Sequence, residues 1–190
     1  MLGIIAGSGL QRLNHLENIR RAIVRTPFGE TSCAITLGQL SGVEVAFINR
    51  HGYGHTLAPH QMKYRANIWA VQKIGVQTVC AVGSTGSFLE SIQPGQLIVP
   101  NDILDYTQGR KYTYFEGPDH PIVYTDMSEP FDMKIRANLI EAAQKLQLPV
   151  VTEAVYACTN GPSLENHAEV RRMAVSYKHL TLPTIIHVES

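Results

Sequence analysis

Three apolar runs in this 190-residue chain each empty into a short loop of glycine, hydroxyl or charged residues. The first run, Leu2 with Gly3, Ile4, Ile5 and Ala6, leads into Gly7-Ser8-Gly9-Leu10. The second, 43–48, leads into Asn49-Arg50-His51-Gly52-Tyr53-Gly54-His55. The third, 77–82, leads into Gly83-Ser84-Thr85-Gly86-Ser87. Short apolar runs bounded by glycine read as strands, and a nearly continuous one such as 77–82 reads as a buried central strand. If the three strands are parallel neighbours, their loops meet at one edge of the sheet, where open α/β sheets form ligand sites. That edge would hold a guanidinium, several hydroxyls and backbone amides, a set that suits phosphate oxygens.

Taken singly, each loop has a plain reading. An arginine at a strand end is often a solvated surface residue, and a His-rich loop can be a satisfied polar turn. Gly7-Ser8-Gly9 on local grounds is a tight turn; without a third glycine it is no dinucleotide fingerprint. The combination of the three carries the argument.

The rest of the chain fits an α/β layout. Residues 21–26 and 32–37 read as two strands around a Pro27-Phe28-Gly29-Glu30 turn, and residues 38–42 turn the chain into the 43–48 strand. From His60 to Gly75 the spacing predicts a helix with Met62, Ala66, Trp69 and the stem of Lys73 on its inner face, flanked by Ile68 and Val71. Residues 96–100 read as a strand. Residues 102–114 read as an irregular aromatic loop, fit to line a pocket or interface, or equally to be a surface loop with its own small core. Residues 132–146 read as a helix turning Ile135, Leu139, Ala142, Ala143 and Leu146 inward. A further strand region at 149–157 ends at Cys158-Thr159-Asn160-Gly161-Pro162, and another helix starts at 165.

Composition narrows the class. Lysine plus arginine equals aspartate plus glutamate at 16 each, which argues against a nucleic-acid scaffold. Apolar runs all fall well short of the roughly 20 residues that span a bilayer, and the N-terminal residues carry no secretory pattern. Cys33, Cys80 and Cys158 lie far apart, odd in number and without metal-ligand spacing. They are expected to be reduced core residues of a cytoplasmic protein, with no metal site and no membrane partner.

Several stretches resemble, in order over about residues 1–174, the purine nucleoside phosphorylases, in the branch that handles 5′-methylthio nucleosides. They are Gly3 to Leu10, Arg50-His51-Gly52 with His55 and Pro59-His60, and Tyr64-Arg65-Ala66-Asn67-Ile68-Trp69-Ala70. To these add Asp105-Tyr106-Thr107 with Gly109-Arg110, Thr113-Tyr114-Phe115, and Tyr156-Ala157-Cys158-Thr159-Asn160-Gly161-Pro162. Within the branch, the Tyr156 to Glu165 run and the Tyr106 to Arg110 loop favour members that act on S-methyl-5′-thioinosine; methylthioadenosine comes next.

The resemblance implies a three-layer α/β/α fold around a mixed twisted sheet, incomplete here at the C-terminus, and assembly as a homotrimer. It implies that inorganic phosphate, a co-substrate, displaces the purine from ribose C1′ and that no cofactor is needed. The products would be hypoxanthine and 5-methylthioribose 1-phosphate. Ser8, Arg50, His51, Gly83 and Ser84 would hold phosphate. Leu164 would pack on the purine, and Glu165 stands where the family varies a residue that influences base choice. Related readings are a methylthioadenosine or general inosine/guanosine phosphorylase; a different class is a nucleoside- or phosphate-binding fragment without turnover.

The family places the acid that assists the leaving purine in a late segment that has no counterpart here, so the catalytic acid is unknown. Residues 175–190 resemble nothing in the family. They resemble a peptide found at the ends of unrelated predicted proteins, as if adapter DNA had been translated. The expectation is a phosphorylase part at 1–174 and a foreign tail; a genuine divergent C-terminus is the alternative.

Overall fold

The computed structural model describes residues 1–10, 12–176 and 180–183. They fall into two compact units, Met1–Ser84 and a second that begins at Thr85. Both are built from strands and helices, as the α/β expectation requires.

The first unit is a five-stranded mixed sheet. Its strands are β1 (Leu2–Ala6), β2 (Glu17–Ala22), β3 (Ile35–Leu40), β4 (Val43–Asn49) and β5 (Thr78–Val82), in the order β2-β3-β4-β1-β5. The β2–β3 and β3–β4 pairs are antiparallel; β1 runs parallel to both β4 and β5. Residues 45–48 of β4 are all buried. Val45 and Phe47 join Ile4 and Ala6 in one cluster, while Ala46 and Ile48 join Ile35, Leu37 and Val76 in another. Strand side chains alternate between faces, so β4 feeds both cores and is pinned in register by both. Helix α1 (Tyr64–Lys73) supplies Ala70 and Val71 to the second of these clusters.

Several expectations for this unit need correction. The first hairpin lies at 17–22 and 35–40, rather than at 21–26 and 32–37. A Thr26–Gly29 bridge closes the Pro27-Phe28 turn, and the chain beyond it is tied to α1 instead: Asn67 accepts from the Ser32 amide at 2.8 Å and donates to its hydroxyl at 2.9 Å. The helix starts only at Tyr64, after a short 3-10 turn at Pro59–Gln61. Its inner face is Ala66, Asn67, Ala70 and Val71, with Ile68 exposed. Strand β5 is the edge of its sheet, and Val79 and Val82 stand 40% and 43% exposed. An apolar run reports that a strand could be covered on both faces, not where it sits in a sheet.

The second unit holds β6 (Thr85–Ser87), β7 (Leu97–Ile98), β8 (Asp102–Asp105), α2 (Met133–Lys145), β9 (Val150–Val151), β10 (Val155–Cys158), α3 (His167–Ser176) and β11 (Leu180–Pro183). Four strands form a sheet in the order β6-β11-β10-β8, and β7 pairs with β9 in parallel. Ala157 and Met173 are buried, with Phe88, Leu104, Tyr106 and Val155 packed against them. The strand expected at 96–100 is only two residues long, and part of the region expected to be irregular forms β8 instead. Helix α2 appears as expected, but only Ala143 of its apolar face is buried; Leu139 and Leu146 are exposed. Of the tail, residues 175 and 176 end α3 and 180–183 form β11, while 177–179 and 184–190 lie outside the described residues. Among the described residues, no cysteine is disulfide-bonded, and no helix is long and apolar enough to cross a membrane.

Asp132 caps α2: its carboxylate accepts from the Ile135 amide at 2.9 Å, satisfying one of the donors that a helix start leaves open. Asp132→Ala should lower the stability of the chain by about 1 kcal/mol. Asp132→Asn should keep most of it, both read as shifts in the urea midpoint.

Candidate active site

The register of β1 with its neighbours levels three strand ends. Ala6 pairs with Asn49 of β4 on one side and Val82 of β5 on the other. The next residues out are therefore Gly7, Arg50 and Gly83. Backbone bonds carry the pairing one step beyond the strands: the Gly7 amide donates to Val82 O at 2.8 Å and the Arg50 amide to Ala6 O at 3.1 Å. The Gly7 amide is thus occupied, so the amides of this turn are not all available to an anion.

The Arg50 side chain folds back across these ends. Its Nη1 donates to Val82 O at 3.1 Å. A Cβ on Gly7 would lie 2.4 Å from Nη2 and 2.7 Å from Cζ, and a Cβ on Gly83 would lie 3.0 Å from Nη2. Both glycines therefore make room for the guanidinium; neither has the positive φ that would otherwise explain it. A Cβ on Gly9 would likewise come within 2.9 Å of Ser84 Oγ. Ser8, Arg50, Gly83 and Ser84, predicted from separate stretches of sequence, are thus brought together. Among the described residues, Arg50 pairs with no carboxylate. The Ser8 hydroxyl oxygen is buried and has no hydrogen-bond partner among them. A buried hydroxyl left unpaired costs roughly 1–3 kcal/mol.

His51 follows on the same strand end and is buried. Its Nδ1 lies 2.9 Å from Leu57 O, and the Leu57 amide donates back to His51 O at 2.9 Å. A carbonyl only accepts, so Nδ1 carries the hydrogen. Burial pushes the His51 pKa down, the Leu57 carbonyl opposes this, and Arg50 and His55 add to the lowering. The ring stacks on His55 at 4.3 Å. Gly52 and Gly54 take positive φ, which lets the 51–57 loop close so tightly. The loop is held from outside by Tyr53, whose hydroxyl donates to Ala34 O at 3.0 Å. His51 is in place, but one of its two ring nitrogens is committed to the loop rather than to a ligand.

Leu164 and Glu165 belong to the second unit. Leu164 is 62% exposed. Glu165 is half-buried, and the Thr159 hydroxyl donates to its Oε1 at 2.7 Å. Arg110 braces this turn, donating through Nε to Asn160 Oδ1 at 3.2 Å and through Nη2 to the carbonyls of Thr159 and Asn160, each at 3.3 Å. Asn160 in turn exchanges two bonds with the Gln108 backbone. Arg110 stood out in the sequence only as part of a loop; Thr159 and Asn160 only as part of a motif. Their bonds bridge about 50 residues of chain, and no local pattern encodes such a distance. Among the described residues, no group of three or more His, Cys, Asp or Glu side chains could hold a metal ion.

Comparison with known proteins supplies the family. The sequence profile of the Phosphorylase superfamily matches residues 1–181. The probable S-methyl-5′-thioinosine phosphorylase of Thermodesulfovibrio yellowstonii is 40% identical over 171 residues, covering 90% of this chain and 63% of that protein. The S-methyl-5′-thioadenosine phosphorylase of Pyrococcus horikoshii is also 40% identical, covering 90% of this chain and 65% of its own length. The chain thus spans under two thirds of the length of these relatives. Among solved structures, apo methylthioadenosine phosphorylase from Schistosoma mansoni superposes with a TM-score of 0.89 at 27% identity, covering 98% of this chain and 72% of that one. Sequence and fold agree, and the chain belongs to the Phosphorylase superfamily.

Proposed function

We propose that the chain is the phosphate-holding and base-reading part of a nucleoside phosphorylase that cleaves a 5′-methylthio purine nucleoside, with S-methyl-5′-thioinosine favoured. The observation that supports this reading is the buried Ser8 hydroxyl, without a hydrogen-bond partner among the described residues, on the same levelled strand ends as Arg50, which pairs with no carboxylate among them. A phosphate dianion fits both: it offers acceptors to the guanidinium fork and to a hydroxyl donor.

In the reaction, a phosphate oxygen bonds to ribose C1′ as the C1′–N9 bond breaks. The bonding pair leaves with the purine, which takes a proton at N7. The sugar passes through an oxocarbenium-like state, and a dianion held beneath C1′ is both nucleophile and electrostatic stabiliser. Arg50 keeps its charge through the cycle and needs no proton transfer. Ser8, His51, Gly83 and Ser84 complete the phosphate loops. Leu164 offers an apolar face for the purine, and Glu165 reads its edge.

A second reading, methylthioadenosine as substrate, is supported by an identity to the thioadenosine relative equal to that of the thioinosine one. Homotrimeric assembly and no cofactor beyond the phosphate co-substrate rest on the family resemblance, a cytoplasmic location on the dispersed cysteines, and no nucleic-acid partner on the balanced charge. The boundary between a phosphorylase part at 1–174 and a foreign tail rests on the resemblance too; sequencing the genomic locus past the codon for Ala174 tests that boundary.

Incubating the full-length parent protein with methylthioinosine or methylthioadenosine, with and without phosphate, and following purine absorbance tests the reaction. Base release that requires phosphate is expected. Release without phosphate indicates a hydrolase, and saturable binding without release indicates a protein that binds but does not turn over. Arg50→Ala should weaken phosphate binding by about 10- to 100-fold, the worth of a charge-assisted fork, and shift the melting temperature little. Arg50→Lys should recover only part of this, because a point charge does not reproduce the fork. Equal phosphate affinity in Arg50→Ala removes Arg50 from the site. Gly7→Ala places a methyl where the guanidinium lies, and the end of a flexible side chain yields more easily than backbone. The expected result is a folded protein with phosphate affinity lowered as in Arg50→Ala, measured by calorimetric titration.

A further inference from the structure

Glu165 presents two carboxylate oxygens, and the chain has already engaged one of them. Thr159, six residues earlier and on the far side of the Gly161-Pro162 turn, donates its hydroxyl to Oε1 at 2.7 Å. That is the length of a strong hydroxyl–carboxylate bond. The backbone that carries Thr159 is itself fixed. Arg110 donates to the carbonyls of Thr159 and Asn160 and to the Asn160 side chain, and the Asn160 side chain is bonded in both directions to Gln108. The donor therefore has a defined position, and so does the carboxylate it holds. A terminal carboxylate torsion is otherwise broad and roughly two-fold.

We infer that Thr159 is a specificity-determining positioning residue: its hydroxyl fixes Glu165 through Oε1 and leaves Oε2 as a single oriented acceptor for the N1–H of a 6-oxopurine. The inference rests on the reading of Glu165 as the base-contacting residue. An ionised carboxylate only accepts. A 6-oxopurine brings a hydrogen at N1, whereas a 6-aminopurine brings a lone pair there. A carboxylate held in one orientation answers the first and opposes the second, and sites built around a specific hydrogen bond discriminate far more than apolar pockets do. A carboxylate free to rotate could turn away from the mismatched base and so discriminate less. Leu164, exposed next to Glu165, offers the same apolar face to either purine.

The test is equilibrium binding of hypoxanthine, adenine and inorganic phosphate, by calorimetric titration, to the wild-type chain and to Thr159→Val, Thr159→Ser and Thr159→Ala. Wild type should prefer hypoxanthine. Thr159→Val should lower hypoxanthine affinity by about tenfold, in line with the loss of one charge-assisted bond, and change adenine affinity much less. Phosphate affinity should stay as it was. Thr159→Ser, which keeps the hydroxyl, should restore the preference. In a Glu165→Ala background the effect of Thr159→Val on the preference should vanish, because residues that act through one another are not additive. If Thr159→Val melts far below wild type, Thr159→Ala and its comparison with Thr159→Ser carry the same reading. A hypoxanthine preference that survives loss of the hydroxyl overturns the inference and leaves the proposed function standing, as does an equal fall for both purines and phosphate. A wild-type preference for adenine also overturns it. Wild type that binds phosphate but neither purine sinks the base-reading role of Glu165, and the inference with it.

Discussion

The candidate site depends on register. β1 lies between β4 and β5 with Ala6 opposite both Asn49 and Val82, and so the residues one step further out stand side by side. A slip of one residue in either pairing would turn every side chain of the shifted strand to the other face. What prevents the slip is the burial of β4. Val45 and Phe47 are held in one cluster and Ala46 and Ile48 in the other, so no shift leaves both cores filled. The packing of four residues thus fixes the place of Arg50, two residues beyond them. The glycines complete what the register begins. Side chains at 7 and 83 would occupy the space the guanidinium takes, and their absence lets a long cationic side chain lie over the strand ends.

Such an arrangement is costly in itself. Among the described residues, the half-buried guanidinium has no carboxylate and the buried Ser8 hydroxyl no partner, so both forgo interactions that a core built for stability would make. Departures of this kind from local satisfaction gather at functional sites. The turn around Thr159 and Glu165 follows the opposite rule. There Arg110, Asn160 and Gln108 satisfy one another, and the result is rigidity rather than latent affinity.

The sequence is legible where chemistry and periodicity coincide. Strand β4 and its Arg50 loop, the first strand with Ser8, and the third with Gly83 and Ser84 all follow from apolar runs ending in small residues. That their strands are adjacent and parallel is what an α/β layout predicts. Position within the sheet is less legible: 77–82 has the composition of a central strand and stands at an edge. Helix faces are less legible for a related reason. Asn67 is polar yet buried, since it bonds Ser32 across 35 residues of chain, and Ile68 is apolar yet exposed. Periodicity counts apolar residues; it cannot see a polar side chain whose partner lies in another loop. The brace of Arg110 on Asn160 was hidden for the same reason.

His51 shows how much a single hydrogen changes a site. By type, a histidine beside an arginine at a strand end suggests a second cation for an anion. The fold makes it something else. Burial disfavours its charge, and the neighbouring guanidinium disfavours it further. The Leu57 carbonyl takes the one hydrogen of the neutral ring at Nδ1 and closes the loop with it. Nε2 is left with a lone pair, so a group that meets it there must bring its own hydrogen. Ionised phosphate oxygens cannot do this, but the P–OH of monohydrogen phosphate can. Arg50 attracts the charge of an anion without regard to its protons. A neutral His51 can only tell apart oxygens that carry a hydrogen from those that do not. Two adjacent residues of one strand end thereby differ in what they can offer a ligand, a fixed charge at Arg50 and a lone pair at His51, a difference set by the loop that holds the ring rather than by the residue types alone.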